Sequence, residues 1–108
     1  MPMNSETLKV LEKARALIAD EAHWCRGAFA VDEHGNKVGA LEAAACAWCA
    51  SGATIRASNA SEAGHRARVQ LAMQIGSPSV ANFNDIHSHA EVLALFDRVI
   101  ARLREEAP

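Results

Sequence analysis

Three cysteines, Cys25, Cys46 and Cys49, carry the most reactive side-chain chemistry in this sequence. Cys46 and Cys49 have the spacing Cys-x-x-Cys, and Cys25 and Cys49 directly follow the only two tryptophans, Trp24 and Trp48. A thiolate can act as a nucleophile or as a zinc ligand, whereas a buried neutral cysteine behaves as a small apolar residue. The sequence therefore leaves three alternatives open for these cysteines: catalysis, metal binding or packing.

A zinc site would need four ligands, and Cys25, Cys46, Cys49 and His87 would provide them, with His89 as a substitute. The Cys-x-x-Cys pair, however, lies in an alanine-rich segment that predicts a helix. Backbone amides inside a helix are already bonded and cannot support thiolates, and a thioredoxin-like motif belongs at a helix N-terminus. The pattern therefore favours packing, and we expect neither a metal ion nor another cofactor.

A thiol-dependent hydrolase or transferase is the second alternative. Cys49 or Cys25, with His87 and with Asp85 or Asn84, has the residue types of a nucleophile, a base and an orienting group. Cys25 is expected just after the C-terminus of the first helix, where the helix dipole raises the pKa of a thiol. Because the chain has five histidines, such matches also arise by accident. The sequence favours a protein that is not an enzyme.

A dense polar segment over residues 82–89 precedes the last predicted helix. Asn84, Asp85 and His87 could be presented there to a ligand or partner. Alternatively, Asn84 and Asp85 hydrogen-bond to local backbone and fix the turn, and this second interpretation is the favoured one. Trp24 is expected to anchor packing, and it becomes a binding residue if its ring is partly exposed.

Composition and charge restrict the class of protein. A chain of 108 residues predicts a single domain, residues 1–108, and half of those residues are apolar. The net charge of −2, with basic and acidic residues interspersed, argues against nucleic-acid binding. The sequence contains neither a membrane-spanning apolar run nor a signal-peptide pattern, and an odd number of cysteines is typical of a reducing compartment. We expect a cytoplasmic protein.

The periodicity predicts a mainly α fold, a compact four-helix domain with a small β-hairpin after helix 1. Cap residues at 4–6 open a first helix that runs to about Ala22. Residues 26–39 follow as the hairpin, with Gly35 or Asn36 at positive φ in its turn.

Three more helices complete the predicted fold. They are an alanine-rich helix over Leu41–Ser51, a helix capped by Asn59 that ends at residues 76–78, and a last helix that opens with the capping box of residues 88–91. Gly52 is expected to end or bend the first of these three, and residues 79–87 are expected to form an irregular connection.

The core is expected to combine the aliphatic stripes of the helices with three aromatic residues: Trp24, Trp48 and Phe96. The small residues near the tryptophans indicate closely approaching backbones. We therefore expect the loop at residues 84–85 to lie beside Gly27 or Gly52.

Three segments together resemble a family of small proteins from bacteria and bacteriophages that is catalogued as a domain of unknown function. They are W-C-R-G-A-F-A-V-D-E-H-G, W-C-A-S-G-A and F-N-D-I-H-S-H-A-E-V-L. The resemblance extends over nearly the whole chain in the same order. It places the family signature on Trp24, Gly27, Ala28, Asp32, Gly35, Cys49, Gly52, Ala53, Asn84, Asp85, Glu91 and Val92.

The chain departs from that pattern at three positions. Phe83 stands in place of tryptophan, Ser51 in place of leucine, and Cys25 where threonine is common. The last difference weakens any role for Cys25 as a nucleophile or zinc ligand. The resemblance implies no known activity, so the leading hypothesis is a non-enzymatic binding or regulatory module. It would act through a protein partner or as a homodimer, and a zinc-stabilised interaction domain ranks third.

Overall fold

The structure is a computed structural model that describes residues 2–106, with side chains from residue 4 onward. Both ends of the predicted domain, Met1 and Pro108, lie outside the described residues. Over the described part the fold is mainly helical, which confirms the predicted class, but it has five α-helices and a three-stranded antiparallel sheet. In chain order the elements are α1 (Pro2–Leu17), β1 (Ala30–Val31), β2 (Lys37–Val38), β3 (Ala47–Trp48), α2 (Ala50–Ser58), α3 (Glu62–Ile75), α4 (Val80–Ile86) and α5 (His89–Glu106).

The first helix is longer at its start and shorter at its end than predicted. It begins at Pro2, so residues 4–6 lie inside it, and it ends at Leu17 rather than Ala22. A short 3₁₀ turn over Glu21–His23 replaces the expected last turn, because the Asp20 carboxylate accepts a hydrogen bond of 2.9 Å from the Ala22 amide and starts a new turn.

The predicted hairpin is present between β1 and β2, with Ala30 opposite Val38. Its turn contains Gly35 at φ +80°, a conformation that glycine adopts without steric cost. The Asp32 carboxylate accepts hydrogen bonds of 2.9 Å from the amides of His34 and Asn36 and stabilises the turn. The hairpin prediction is therefore confirmed, although it omitted β3, which pairs with the other edge of β1.

The predicted helix over Leu41–Ser51 is wrong. Residues 39–46 form irregular turns, and the chain then enters β3. The Arg56 guanidinium donates hydrogen bonds to the carbonyls of Ala40 and Glu42, and the Trp48 indole N–H donates to the Ala40 carbonyl at 3.0 Å. These long-range contacts override the helix propensity of alanine, which is only a weak preference.

Helix boundaries around α2 and α3 also differ from prediction. Gly52 lies in the first turn of α2 rather than at a helix end. Asn59 ends α2 in the left-handed conformation, at φ 54°, and Ser61 is the residue that precedes α3. The predicted stop at Gly76 is confirmed, since that glycine has φ +69°.

The segment over residues 79–87 is largely helical rather than irregular. The Ser79 hydroxyl accepts a hydrogen bond of 3.0 Å from the Asn82 amide and caps α4. The capping box of α5 is confirmed by two reciprocal hydrogen bonds. The Ser88 amide donates to the Glu91 carboxylate at 2.9 Å, and the Glu91 amide donates to the Ser88 hydroxyl at 3.1 Å.

The core lies where α1, α2, α3 and α5 meet. Fully buried residues of α1 recur at helical spacing, and α5 contributes the longest stripe, namely Val92, Leu95, Phe96, Val99, Ile100 and Leu103. Trp48 is buried as predicted, at 7% exposure, whereas Trp24 is only half-buried and packs against the edge of the core. None of the helices over residues 2–106 combines the length and apolar character that crossing a membrane requires.

Candidate functional site

The two Trp-Cys pairs lie side by side in extended backbone. Trp24 and Trp48 form an isolated parallel bridge, in which the Cys25 amide donates a hydrogen bond of 3.1 Å to the Trp48 carbonyl. The expectation that the second pair lies within a helix is therefore wrong. Both pairs meet at the junction between the small sheet and the helices, and the candidate site is built around this junction.

Asn84, on α4, is the polar centre of this junction and is completely buried. Its Oδ1 accepts hydrogen bonds from the Trp24 indole N–H at 2.7 Å and from the Ala50 amide at 2.9 Å. Its Nδ2 donates to the Cys25 carbonyl at 3.0 Å and to the Asp85 carboxylate at 3.1 Å. The side chain therefore has its full set of hydrogen bonds, as a buried amide requires.

Asp85 connects the same helix to Gly27. Its Oδ1 accepts a hydrogen bond of 3.0 Å from the Gly27 amide, at a position where the backbone has φ +79°. The pair at residues 84–85 thus lies beside Gly27, as expected. These side chains do not fix a local turn, however, because their backbone partners at residues 25, 27 and 50 are 34 to 59 positions away in sequence.

Gly52 permits the closest approach of two backbones in this region. A Cβ atom at Gly52 would lie 1.8 Å from the Phe29 carbonyl oxygen. The same oxygen accepts a hydrogen bond of 3.2 Å from the Cys49 amide. The chain just before β1 therefore rests directly on the start of α2, and no larger residue fits at position 52 without a shift.

Cys49 is the residue at the N-terminus of α2, so the Cys-x-x-Cys motif precedes a helix instead of lying within one. Its Sγ accepts a hydrogen bond of 3.3 Å from the Gly52 amide. The residue is only 2% exposed, and burial raises the pKa of its thiol in spite of the nearby amides that lower it. Cys49 is therefore held as a neutral thiol, which is a poor nucleophile.

Two open pockets share the exposed ring of Phe29. The first, of about 390 Å³, is lined by residues that include Gly27, Cys49 and Asp85, with Lys37 at the same opening. The second, of about 360 Å³, is lined by residues 39–42 and by Ile55. We call the two pockets together the Phe29 surface, since Phe29 lines both and is 53% exposed.

His87 does not join Cys49 and Asp85. Its ring stacks on Phe83 with the ring centres 3.7 Å apart, and its Nδ1 lies 2.8 Å from the Phe83 carbonyl oxygen. It lines a separate, smaller cavity of about 200 Å³. The predicted catalytic set is therefore split, with Cys49 and Asp85 in one pocket and His87 in another.

The predicted zinc ligands are also not gathered. Among residues 4–106, no group of three or more histidine, cysteine or acidic side chains is placed to hold a metal ion. Cys46 is exposed, whereas the Cys25 thiol donates to the Ala28 carbonyl at 3.6 Å. Burial is the largest of several effects that raise the pKa of Cys25 to about 11. His89 lies 2.6 Å from the Ile18 carbonyl oxygen.

The sequence interpretation missed Phe29, because the alternation of side chains along a strand does not by itself say which face is buried. In a strand, successive side chains point to opposite faces. Ala30 is completely buried in β1, so the alternation around it places the neighbouring Phe29 on the open side. Of the predicted binding residues, Asn84 is buried and Trp24 half-buried, and only Asp85 lines the Phe29 surface.

Comparison with known proteins gives one result that covers almost the whole chain. Neither the curated proteins nor the solved structures include a significant match to it. A family model does match: the model of a family of unknown function, DUF6197, covers residues 3–102. This range includes all of the elements from β1 to α4 and every residue of the junction described above. The chain therefore belongs to the family of unknown function DUF6197.

Proposed function

We propose that this chain is a non-enzymatic binding or regulatory module that recognises a protein through the Phe29 surface. One observation carries the proposal: a large aromatic ring, 53% exposed, stands between two apolar pockets. Aromatic side chains are enriched among the residues that dominate protein interfaces. The partner is either a different protein or a second copy of this chain.

The backbone beneath Phe29 supports this role because it is fixed on several sides. The Phe29 carbonyl accepts a hydrogen bond from the Cys49 amide and lies against Gly52. The Asp85 carboxylate accepts a hydrogen bond from the Gly27 amide. A surface that is already ordered loses less conformational entropy on binding than a mobile loop does. The network around Asn84 then acts as the support for the binding surface rather than as its contact residues.

The rim of the Phe29 surface favours a protein over a nucleic acid. Lys37 and Asp85 give the first pocket one charge of each sign, and Glu42 adds an acidic group at the second. An apolar centre with a mixed polar rim is typical of protein interfaces. Nucleic-acid binding requires clustered basic residues instead. We place the interaction in the cytoplasm of a bacterial cell, in keeping with the bacterial or bacteriophage origin that the family resemblance implies.

A thiol-dependent hydrolase or transferase is the second candidate, because Cys49 and Asp85 line the same pocket and Cys49 precedes a helix. Catalysis would require His87 to leave its stack on Phe83 and enter that pocket, and it would require the buried Cys49 thiol to ionise. The raised pKa of Cys49 opposes ionisation, and the stacking of His87 on Phe83 opposes its movement into the pocket. The binding module is the better supported function.

Site-specific photo-crosslinking in living bacterial cells tests the proposal. A benzophenone amino acid replaces Phe29 in one protein and Ile86 in a control, since Ile86 is also exposed, at 68%, but lines neither pocket. We expect a discrete adduct of defined mass from position 29 alone. An adduct of twice the chain mass identifies a homodimer, and an adduct of any other discrete mass identifies a different protein.

Equal crosslinking from both positions, or none from position 29, contradicts the proposal. The enzyme candidate has its own readout, which is the rate at which an alkylating probe modifies Cys49 at neutral pH. Labelling of Cys49 in the folded protein faster than in the urea-unfolded chain would show an activated thiol and would favour that candidate.

A further inference from the structure

A fourth pocket, which shares no lining residue with the Phe29 surface, lies between α3, Ser51 of α2 and the beginning of α4. It is a groove of about 520 Å³, and one of its sides is a stripe along α3 from His65 to Gly76. Eleven residues of helix extend over roughly 16 Å, so the groove is long enough for an extended chain molecule. Its volume is within the usual range of small-molecule sites.

The groove has a cationic group and an apolar part. Arg68 and His65 lie toward the N-terminal end of the stripe, and Val69 and Met73 follow along the helix. Val69 is 40% exposed and Met73 64% exposed, which makes them two of the few large apolar side chains left open to solvent among the described residues. The groove lining contains no acidic residue.

Arg68 is held in place from beneath. Its Nη1 donates a hydrogen bond of 2.8 Å to the Thr54 hydroxyl, and that hydroxyl donates to the Ser51 carbonyl at 2.7 Å. Thr54 is completely buried in α2. The guanidinium is therefore positioned in advance, because one edge is anchored to a rigid, buried group.

Arg68 also lacks a carboxylate partner within the described part of the chain. It shares this feature with Arg26, Arg56 and Arg98, whereas the other four arginines each lie within 4.0 Å of an acidic side chain: Arg15, Arg66, Arg102 and Arg104. Arg68 is partly buried, and burial lowers its pKa, so its positive charge is poorly compensated by solvent and by protein. A ligand carboxylate would complete the hydrogen bonding of the guanidinium, since the two groups match in a bidentate geometry.

We propose that this groove binds an amphipathic carboxylate, with the carboxylate on Arg68 and an aliphatic chain along Val69 and Met73. The site is separate from the Phe29 surface and does not depend on the proposed function. His65 lies one helical turn before Arg68 and adds a second hydrogen-bonding group at the same end of the groove.

Titration with decanoate, followed by NMR of the labelled backbone amides, tests the site. We expect saturable shifts confined to residues 65–80 and to the segment of α2 from Ser51 to Thr54 in the wild-type protein. Arg68→Met keeps the aliphatic packing and removes the charge, so decanoate affinity should fall roughly tenfold or more. Arg98→Met is the matched control, because Arg98 lines a different cavity, and it should bind decanoate as the wild type does.

Two further measurements keep the test decisive if Arg68→Met unfolds. Met73→Gln changes an exposed side chain and should preserve the fold while weakening decanoate binding severalfold. Decyltrimethylammonium, with the same chain and the opposite charge, should produce no saturable shifts in this groove. The proposal is overturned if decanoate does not bind, if Met73→Gln has no effect, or if the cationic detergent binds equally well.

Discussion

The indole N–H of Trp24 donates a hydrogen bond of 2.7 Å to the side-chain carbonyl of Asn84, across 60 positions of sequence. The same oxygen accepts the Ala50 amide at the start of α2. One buried side chain therefore joins the segment before the sheet, the start of α2 and the middle of α4. Because all of its hydrogen-bonding groups are used within the protein, Asn84 acts as a structural connection.

Asn84→Ala should destabilise the fold by about 3 kcal/mol or more, because the Trp24 indole, the Ala50 amide and the Cys25 carbonyl lose a buried partner. Urea denaturation at neutral pH measures the loss. Asn82→Ala, at an exposed position of the same helix, should change stability by no more than about 0.5 kcal/mol. Equal effects of the two substitutions would contradict the role given to Asn84.

Gly52→Ala should also be strongly destabilising, by more than about 3 kcal/mol, since the added methyl would lie 1.8 Å from the Phe29 carbonyl oxygen. Gly39→Ala provides the comparison. A Cβ at position 39 would have its nearest contact at 3.5 Å, from the Glu42 side chain, which is ordinary van der Waals distance. A thermal shift assay of both variants is sufficient, and an unchanged Tm for Gly52→Ala would disprove the close approach.

Trp48→Ala should cost about 3–5 kcal/mol, because the ring is 7% exposed and its removal leaves a large cavity. The substitution also removes the hydrogen bond to the Ala40 carbonyl and the surface on which the Arg56 guanidinium lies, 5.3 Å from the ring centre. Residues 39–46 should consequently lose protection in hydrogen exchange. A variant with normal stability would mean that the ring is exposed in solution.

Cys25 should make stability depend on pH in the alkaline range. Its pKa is about 11 in the folded protein, against 9.0 for an ordinary cysteine, so the folded state retains a proton that the unfolded state releases between these values. The contribution of Cys25 to the free energy of unfolding is therefore fully present below about pH 9 and is lost as pH rises toward 11. Cys25→Ala should show a smaller decline in unfolding free energy over that interval, and an identical decline would argue against the raised pKa.

Local sequence signals predicted the elements whose determinants are close together in the chain. The capping box of Ser88 and Glu91, the Gly35 turn and the Gly76 helix stop each depend on residues within one turn, and all three are present. The helix prediction for the alanine-rich segment 41–51 is wrong, because long-range hydrogen bonds from Arg56 and Trp48 determine the structure of that segment. Helix propensity cannot register such contacts.

The candidate site was predicted in part for the same reason. The small residues beside the tryptophans correctly indicated that residues 84–85 and Gly27 approach one another. The Phe29 surface depends on the pairing of β1 with β3, which lies in the segment predicted to be helical. The sequence therefore does not predict the pocket beside Cys49. The groove at Arg68 depends on how α4 starts, in a segment predicted to be irregular.

The position of Asn84 late in the sequence has a consequence for synthesis on the ribosome. The Trp24 indole, the Cys25 carbonyl and the Ala50 amide lie in the first half of the chain, yet their partner is translated only after α4 begins. The network that joins the segment before the sheet to α2 can therefore form only after α4 has been synthesised. A chain truncated before residue 84 would leave these three groups without their buried partner, and we expect it to be a substrate for chaperones and proteases.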